Sequence, residues 1–453
     1  MLRIFTLCVL VCSSLSALAL DSVPKNEYRE RRVKLSASLH GGAAVLFAAT
    51  EPLLDFMPYR QDSDFYYLTG WTEPGAALVI VGEGPETVLP RIGATVPAHF
   101  YREILFLPER NFVLEKYTGA KLDASAADAA AKAGVDAVMP MRELPGVLAQ
   151  FAEADRRRLQ TFWWQTDFEA GNSVMRFLGA SMGNDAAPAA HDVRELTMPL
   201  RSVKSPAEIA LLKKASDASI KAQLAGMKAI KPGVTERTVA GVEIAESMKQ
   251  GCERESYAPI VGAGPNSVTL HYSDNAATIK TGEVVLIDAA CEYSMYASDI
   301  TRTMPATGHF TARQKEIYEV VLGAQQAAAA AFVAGKMRLG SVNERGADVS
   351  DTLDKVAFDY INTHGKDLHG EPLGKYFLHG LGHSVGIDVH DPYDPAKPLD
   401  RGSVFTLEPG IYIPEEQIGI RIEDVVYVND DGRLVDLIGP LAHTAKEVEA
   451  AMR

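Results

Sequence analysis

GEVVLID, residues 282–288, returns later in the chain as GSVFTLE, residues 402–408. Each begins with glycine, carries Val at the third position and an apolar residue at the sixth, and ends in an acid. Short apolar runs of this kind read as strands buried on both faces. An ionised carboxylate ending such a strand costs several kcal/mol, on the order of an ion's effective burial penalty, unless a partner compensates. The match suggests that Asp288 and Glu408 occupy equivalent places in two half-domains.

The flanking sequence repeats in the same order. SPAEIALLKKASDASIKAQLAGMKAI (205–230) predicts a helix capped by Ser205, with Pro206 in its first turn and Glu208 at the capping-box offset. A second helix over 235–250 and strands at YAPIVGAG and EVVLIDAA follow. TARQKEIYEVVLGAQQAAAAAFVAG (311–335) and SVNERGADVSDTLDKVAFDYI (341–361) predict another helix pair, before strands at VFTLEPGIYI and IGIRIEDVVYV. GVTER (233–237) and GSVNER (340–345) are similar openings to the second helices. Helix, helix, strands, twice over, predicts a pseudo-twofold domain across residues 200–453. Upstream, residues 21–195 alternate strands (43–49, 75–82, 103–107) with helices (125–134, 144–155), an α/β domain. The segment 163–174 has no clear period, and 182–192 reads as a loop before the boundary.

A chain of 453 residues exceeds one ordinary core, in keeping with two domains. Apolar residues at 47% and charged residues at 23% mark a soluble globular protein. The net charge of -14 argues against a nucleic-acid surface. In MLRIFTLCVLVCSSLSALALDS, Arg3 precedes a short apolar run that ends in Ala17-Leu18-Ala19. That pattern predicts a signal peptide over 1–19, too short for the roughly 20 residues of a membrane span. The mature protein is then exported, periplasmic or secreted, with no membrane association. Cys8 and Cys12 leave with the signal, and Cys252 and Cys291 read as small buried hydrophobes rather than a disulfide framework, ligands or nucleophiles.

Asp299, in YASDITR, follows Asp288 by one hairpin turn. In GIRIEDVV, Arg421 and Glu423 share one strand face while Ile420 and Ile422 take the other. Asp288, Asp299, Glu408 and Glu423 thus lie on or beside apolar strands, with Arg302 and Arg421 available to neutralise two. HGLGHSVGIDVHD (379–391) adds His379, His383 and His390. A lone strand-end acid is ordinarily solvated; four on repeated strands beside a histidine cluster point to metal. Two divalent cations would balance four carboxylates. Oxygen-rich ligation favours Mn, Co or Zn and excludes a four-cysteine zinc site. HExxH is absent, because Gly380 follows His379. GHSVG fits the nucleophile-elbow pattern around Ser384, but strand-like IDVHDP follows where that motif requires a helix.

LIDAACEYSMYASDITRTMP, HGLGHSVGIDVHD, TLEPGIYI and GIRIEDVV resemble the four blocks of Xaa-Pro aminopeptidases (aminopeptidase P), in the pita-bread metallopeptidase family M24. YRQDSDFYYLTGWTEPGAALVI resembles that group's N-terminal domain. The resemblance implies a pita-bread catalytic domain hydrolysing the N-terminal bond of peptides with proline second. It implies two divalent ions, Mn2+ foremost with Zn2+ or Co2+ as alternatives. Asp288 would bind one metal, Asp299 and Glu423 would bridge both, and His383 and Glu408 would complete the set. A water between the cations would attack the carbonyl. Glu408 would pass the proton to the proline nitrogen. His271, His379 and His390 would handle substrate or oxyanion, and Arg421 would support the ligand carboxylates. A homo-oligomer, dimer or tetramer, is expected. The chain departs from its relatives in offering Tyr117 where they carry a tryptophan, and in a shorter segment between His390 and Glu408. Rival readings are a prolidase, restricted to Xaa-Pro dipeptides, and an inactive binding module, which would be expected to have lost ligands.

Overall fold

The strand Val284–Asp288 pairs antiparallel with Ile260–Ala263 on one side and Thr301–Pro305 on the other, which sets Asp288 opposite Thr301. The chain between them turns through the hairpin Cys291–Tyr293 and Tyr296–Ala297. Its two turn residues, Ser294 and Met295, both take positive φ, as a tight hairpin turn demands. Asp299 comes back beside Asp288 for that reason. In the second half, Val404–Leu407 pairs antiparallel with Asp424–Val428, and Gly410–Ile413 with Ile418–Arg421. This computed structural model describes residues 21–51, 59–83, 91–92, 99–156, 162–165, 191–347 and 349–453. The expected signal peptide lies outside the described residues, as do most of the 163–174 and 182–192 segments.

Each half carries a helix pair, Pro206–Ala229 with Glu236–Lys249 and Ala312–Ala331 with Leu353–His364. The first helix of each opens on a complete capping box, Ser205 with Glu208 and Thr311 with Gln314. Each also buries one glutamine against its own ligand-bearing strands. Gln223 donates to the carbonyls of Ala289 and Ile300, and Gln325 donates to that of Leu407 and to Asp424. The halves are stitched together by Arg302, which is fully buried. It donates to the Glu423 carbonyl at 2.8 Å, the Asp424 carboxylate at 2.7 Å and the Ala442 carbonyl at 2.8 Å.

Two expectations need correction. The helix expected over 341–361 begins only at Leu353, after a 3-10 turn at Val342–Glu344. Arg338 draws Glu344 (3.0 Å) and Asp351 (2.8 Å) around itself, and that clasp closes the intervening chain as a loop. Cys252 and Cys291, expected as separate buried hydrophobes, are joined by a disulfide. Both are buried all the same. The sharp reversal after the helix Glu236–Lys249 brings Cys252 beside the strand that continues from Asp288.

The N-terminal domain is a six-stranded mixed sheet in the order Ala137–Pro140, Glu103–Leu107, Ala77–Val81, Ala43–Phe47, Phe162–Trp164, His191–Asp192. Its strands alternate strictly between two cores. Ala44, Leu46, Leu78 and Ile80 belong to the apolar core that continues into the catalytic domain. Val45, Val79, Val81 and Phe106 face the helix Leu144–Arg156. No helix among the described residues is long and apolar enough to cross a membrane.

Candidate metal centre

One pocket of about 560 Å³ is lined by His271, Asp288, Asp299, His379, His383, His390, Glu408, Arg421 and Glu423, all nine residues singled out from the sequence. The two ligand hairpins supply the acids, and the segment 379–391 supplies three of the histidines. Asp299, His383 and Glu423 each offer a ligand atom within 4.8 Å of the others. His383 Nε2 lies 3.3 Å from Asp299 and 3.4 Å from Glu408. Its Nδ1 lies 3.1 Å from the Ser384 carbonyl. A proton on Nδ1 makes that bond and leaves the Nε2 lone pair facing the acids, the tautomer a metal ligand needs.

The electrostatics call for cations. Among the described residues, Arg421 is the guanidinium within reach of these carboxylates: it bonds Asp288 directly and lies 4.0 Å from Glu423. Burial pushes Glu408 up to about 7 and, with Asp299, Glu408 and Asp288 as like-charged neighbours, holds Glu423 well above the carboxylate range. Burial also raises Asp288, against the pull of Arg421. Although burial disfavours its charge, the carboxylates of Asp299 and Glu408 push His383 up to about 9. The site thus gathers protons in place of positive charge. Four acids and one imidazole fit a pair of hard or borderline divalent ions. A second group with ligand-like spacing, Asp424, Asp436 and His443, already surrounds a cation, because Arg302 Nη2 reaches both Asp424 and His443.

The histidines differ. His390 stacks on His383 with ring centroids 3.8 Å apart. His379 has both nitrogens engaged, Nδ1 with the Gly380 carbonyl and Nε2 with the Tyr412 hydroxyl, each at 2.8 Å. Burial takes it down to about 3, so it is neutral. Tyr117, noted in the sequence as standing in place of a tryptophan, is 83% exposed on the N-terminal domain and does not line the pocket. Ser384 is buried between Lys204 and the Val404 carbonyl, which leaves its hydroxyl no role as a nucleophile.

Sequence reasoning missed a set of hydroxyls. Tyr257 donates toward Asp288 and Asp299, and burial keeps its phenol protonated. Tyr412 links Arg421 to His379. Thr301 donates to Glu423 at 2.6 Å, and Thr406 to Glu408 at 3.0 Å. No sequence signal marked them: each sits on or near a strand, where ordinary strand residues also sit.

Known proteins are similar to this chain over most of its length. Residues 210–430 match metallopeptidase family M24, and residues 28–160 match the aminopeptidase P N-terminal domain. The Xaa-Pro aminopeptidase of Escherichia coli (strain K12) is 32% identical, over 96% of this chain and 99% of that one. The solved structure of aminopeptidase P from E. coli with the inhibitor Pro-Leu is similar at a TM-score of 0.79 and 30% identity, covering 95% and 99% of the two chains. A zinc-substituted form of that enzyme in complex with product is similar at a TM-score of 0.78 and 30% identity, with the same coverage. Fold and site together define a two-domain metallopeptidase with divalent metal ions. The chain belongs to family M24, in its aminopeptidase P branch, and its catalytic domain has the pita-bread fold.

Proposed function

We propose that this protein is an Xaa-Pro aminopeptidase that releases the first residue of peptides with proline in second place. The observation that carries the reading is the five-ligand set, four acids and His383, converging on one pocket in a chain that matches such enzymes over nearly its whole length. Two divalent ions at this pocket would supply an acidified water and polarisation of the scissile carbonyl. Asp288, Asp299, His383, Glu408 and Glu423 would hold them, with Mn2+ favoured over Zn2+ or Co2+ by the predominance of carboxylate oxygen. Arg421 orients Asp288 through its guanidinium. Glu408, a carboxylate facing the pocket, would take a proton and return it to the proline nitrogen, which has no N–H of its own. His271 and His390 face the pocket to bind substrate or the developing oxyanion. His379, fixed by Tyr412, supports the wall as a neutral ring.

The remaining assignments belong to the same proposal. Residues 1–19 are an export signal, 21–195 the N-terminal domain and 200–453 the catalytic domain. Export to a periplasm or medium is supported by the disulfide between the cysteines that remain after cleavage. A homo-oligomer is supported by the exposed run Phe112, Val113, Leu114 and Tyr117. The test is cleavage of Xaa-Pro-Yaa peptides with added Mn2+, before and after chelation. No cleavage, or no effect of chelator, would overturn the reading. Cleavage of Xaa-Pro dipeptides but not tripeptides would make the enzyme a prolidase.

A further inference from the structure

The segment carrying His383 and His390 has no regular secondary structure: Ser384 to Asp391 form one isolated bridge and a run of bends. Something else must fix two imidazoles that stack 3.8 Å apart. Within the segment, Asp391 N donates to the Ser384 carbonyl at 2.9 Å, and Asp388 N to the Asp391 carboxylate at 3.2 Å. Both aspartates then turn away from the pocket toward cations that come from outside the pita-bread repeats.

Asp391 is buried, and Arg201 (2.6 Å) and Lys204 (3.0 Å) hold it. Lys204 also donates to Ser384, the residue next to His383, at 3.1 Å. Arg201 reaches on to Asp388 at 2.7 Å and to Asp64 of the N-terminal domain at 3.1 Å. From that same domain, Arg60 donates to the Ile387 carbonyl at 2.8 Å and lies 3.3 Å from Asp388, while Ser63 donates to Asp388 at 2.6 Å. Arg60 continues to Glu292, on the hairpin between Asp288 and Asp299, at 2.8 Å. One basic group therefore touches both the histidine segment and the acid hairpin.

The geometry points to Arg60, Arg201 and Lys204 as positioning residues: an ionic clamp, anchored in the N-terminal domain and the interdomain connection, that sets His383 and His390 against the acids of the metal centre. The N-terminal domain then helps to complete the centre although none of its described residues lines the pocket. The clamp touches no substrate and acts through the segment it holds. This inference rests on the proposal that His383 is a metal ligand.

The experiment measures Co2+ affinity by chelator competition, with the visible spectrum of the Co2+ protein, on the full chain. The variants are Arg60→Met, Arg60→Lys and Asp391→Asn, with His383→Ala as reference. Outer residues that orient ligands typically contribute tenfold to a hundredfold to metal affinity, so Arg60→Met should weaken Co2+ binding by about tenfold and alter the spectrum. It should also lower kcat more than it raises KM, and Arg60→Lys should restore part of both. Arg60 is partly exposed, so its loss is tolerable; Asp391→Asn removes the charge held by Arg201 and Lys204 without leaving a cavity. Unchanged Co2+ affinity and spectrum in Arg60→Met and Asp391→Asn, with only the melting temperature lowered, would overturn the clamp. If His383→Ala itself binds Co2+ like the parent, the ligand assignment fails instead.

Discussion

The crowding of acids at the metal centre should make the metal-free protein lose stability as pH rises. Glu408 sits at about 7 against an ordinary 4.5, so the folded state retains a proton that the unfolded chain releases in that interval. Stability falls with rising pH wherever the folded state binds more protons than the unfolded one. At about 1.4 kcal/mol per pKa step of one, Glu408 alone contributes a loss of about 3 kcal/mol. His383 acts with the same sign: raised from 6.5 to about 9, its charged form stabilises the fold below the lower value, and that gain fades as pH approaches the upper one. The two groups face each other at 3.4 Å and share part of the effect. The expected minimum is therefore about 3 kcal/mol lost between about pH 5 and about pH 9, or roughly 6–12 °C in melting temperature for a domain of this size. Metal ions displace these protons, so the stabilisation they confer should grow with pH. The assay is calorimetry of chelator-treated and Mn2+-loaded protein across that range. A metal-free melting temperature that stays flat or rises, or a metal stabilisation independent of pH, would refute the electrostatic account.

Three further outcomes are expected. Asp299→Ala removes the acid nearest both His383 and Tyr257, and should abolish turnover while leaving a folded protein by circular dichroism; retained activity would exclude a bridging role. In Gly382→Ala the new Cβ would lie 2.1 Å from the Thr406 carbonyl oxygen, a backbone contact that must shift. Thr406 holds both the His383 amide and Glu408, and misplacement on the order of 1 Å costs about a hundredfold, so kcat should fall by about that factor. Cys252→Ala opens a loop closed across 39 positions, which chain entropy values at about 4 kcal/mol. Its melting temperature should match that of the reduced parent, and thiol titration of the unreduced parent should find no free cysteine in the mature chain.

Much of the centre was legible because its residues violate a rule visible without coordinates. Asp288 and Glu408 end strands too apolar to leave a charge in water, and the repeat placed them in matching positions. The hydroxyl groups break no such rule. Tyr257, Tyr412, Thr301 and Thr406 fit a strand or its margin whether or not they bond a ligand, so nothing in the sequence separated them from ordinary strand residues. The cysteines were misread for a related reason: small buried thiols and a disulfide present the same burial signature. The Arg60–Asp388 contact lay beyond sequence reasoning altogether, since it joins residues 328 positions apart through a fold that must exist first.

The paired glutamines explain why a duplicated architecture suits this chemistry. A two-ion centre needs carboxylates from separate strands held at fixed spacing while their own repulsion drives them apart. Each half-domain meets that need with an uncharged clamp from its first helix. Gln223 ties the carbonyls beside Asp288 and Asp299, and Gln325 ties the Leu407 carbonyl, next to Glu408, to Asp424, next to Glu423. An amide is suited to this task, because it donates two hydrogen bonds without adding a charge that would compete for the acids. Arg302 then binds the second hairpin to the first through the Glu423 carbonyl and Asp424, placing its charge behind the ligand strands rather than among the ligands. Apart from Arg421, positive charge here assembles the halves, and the pocket between them keeps the excess of negative charge that draws in the ions.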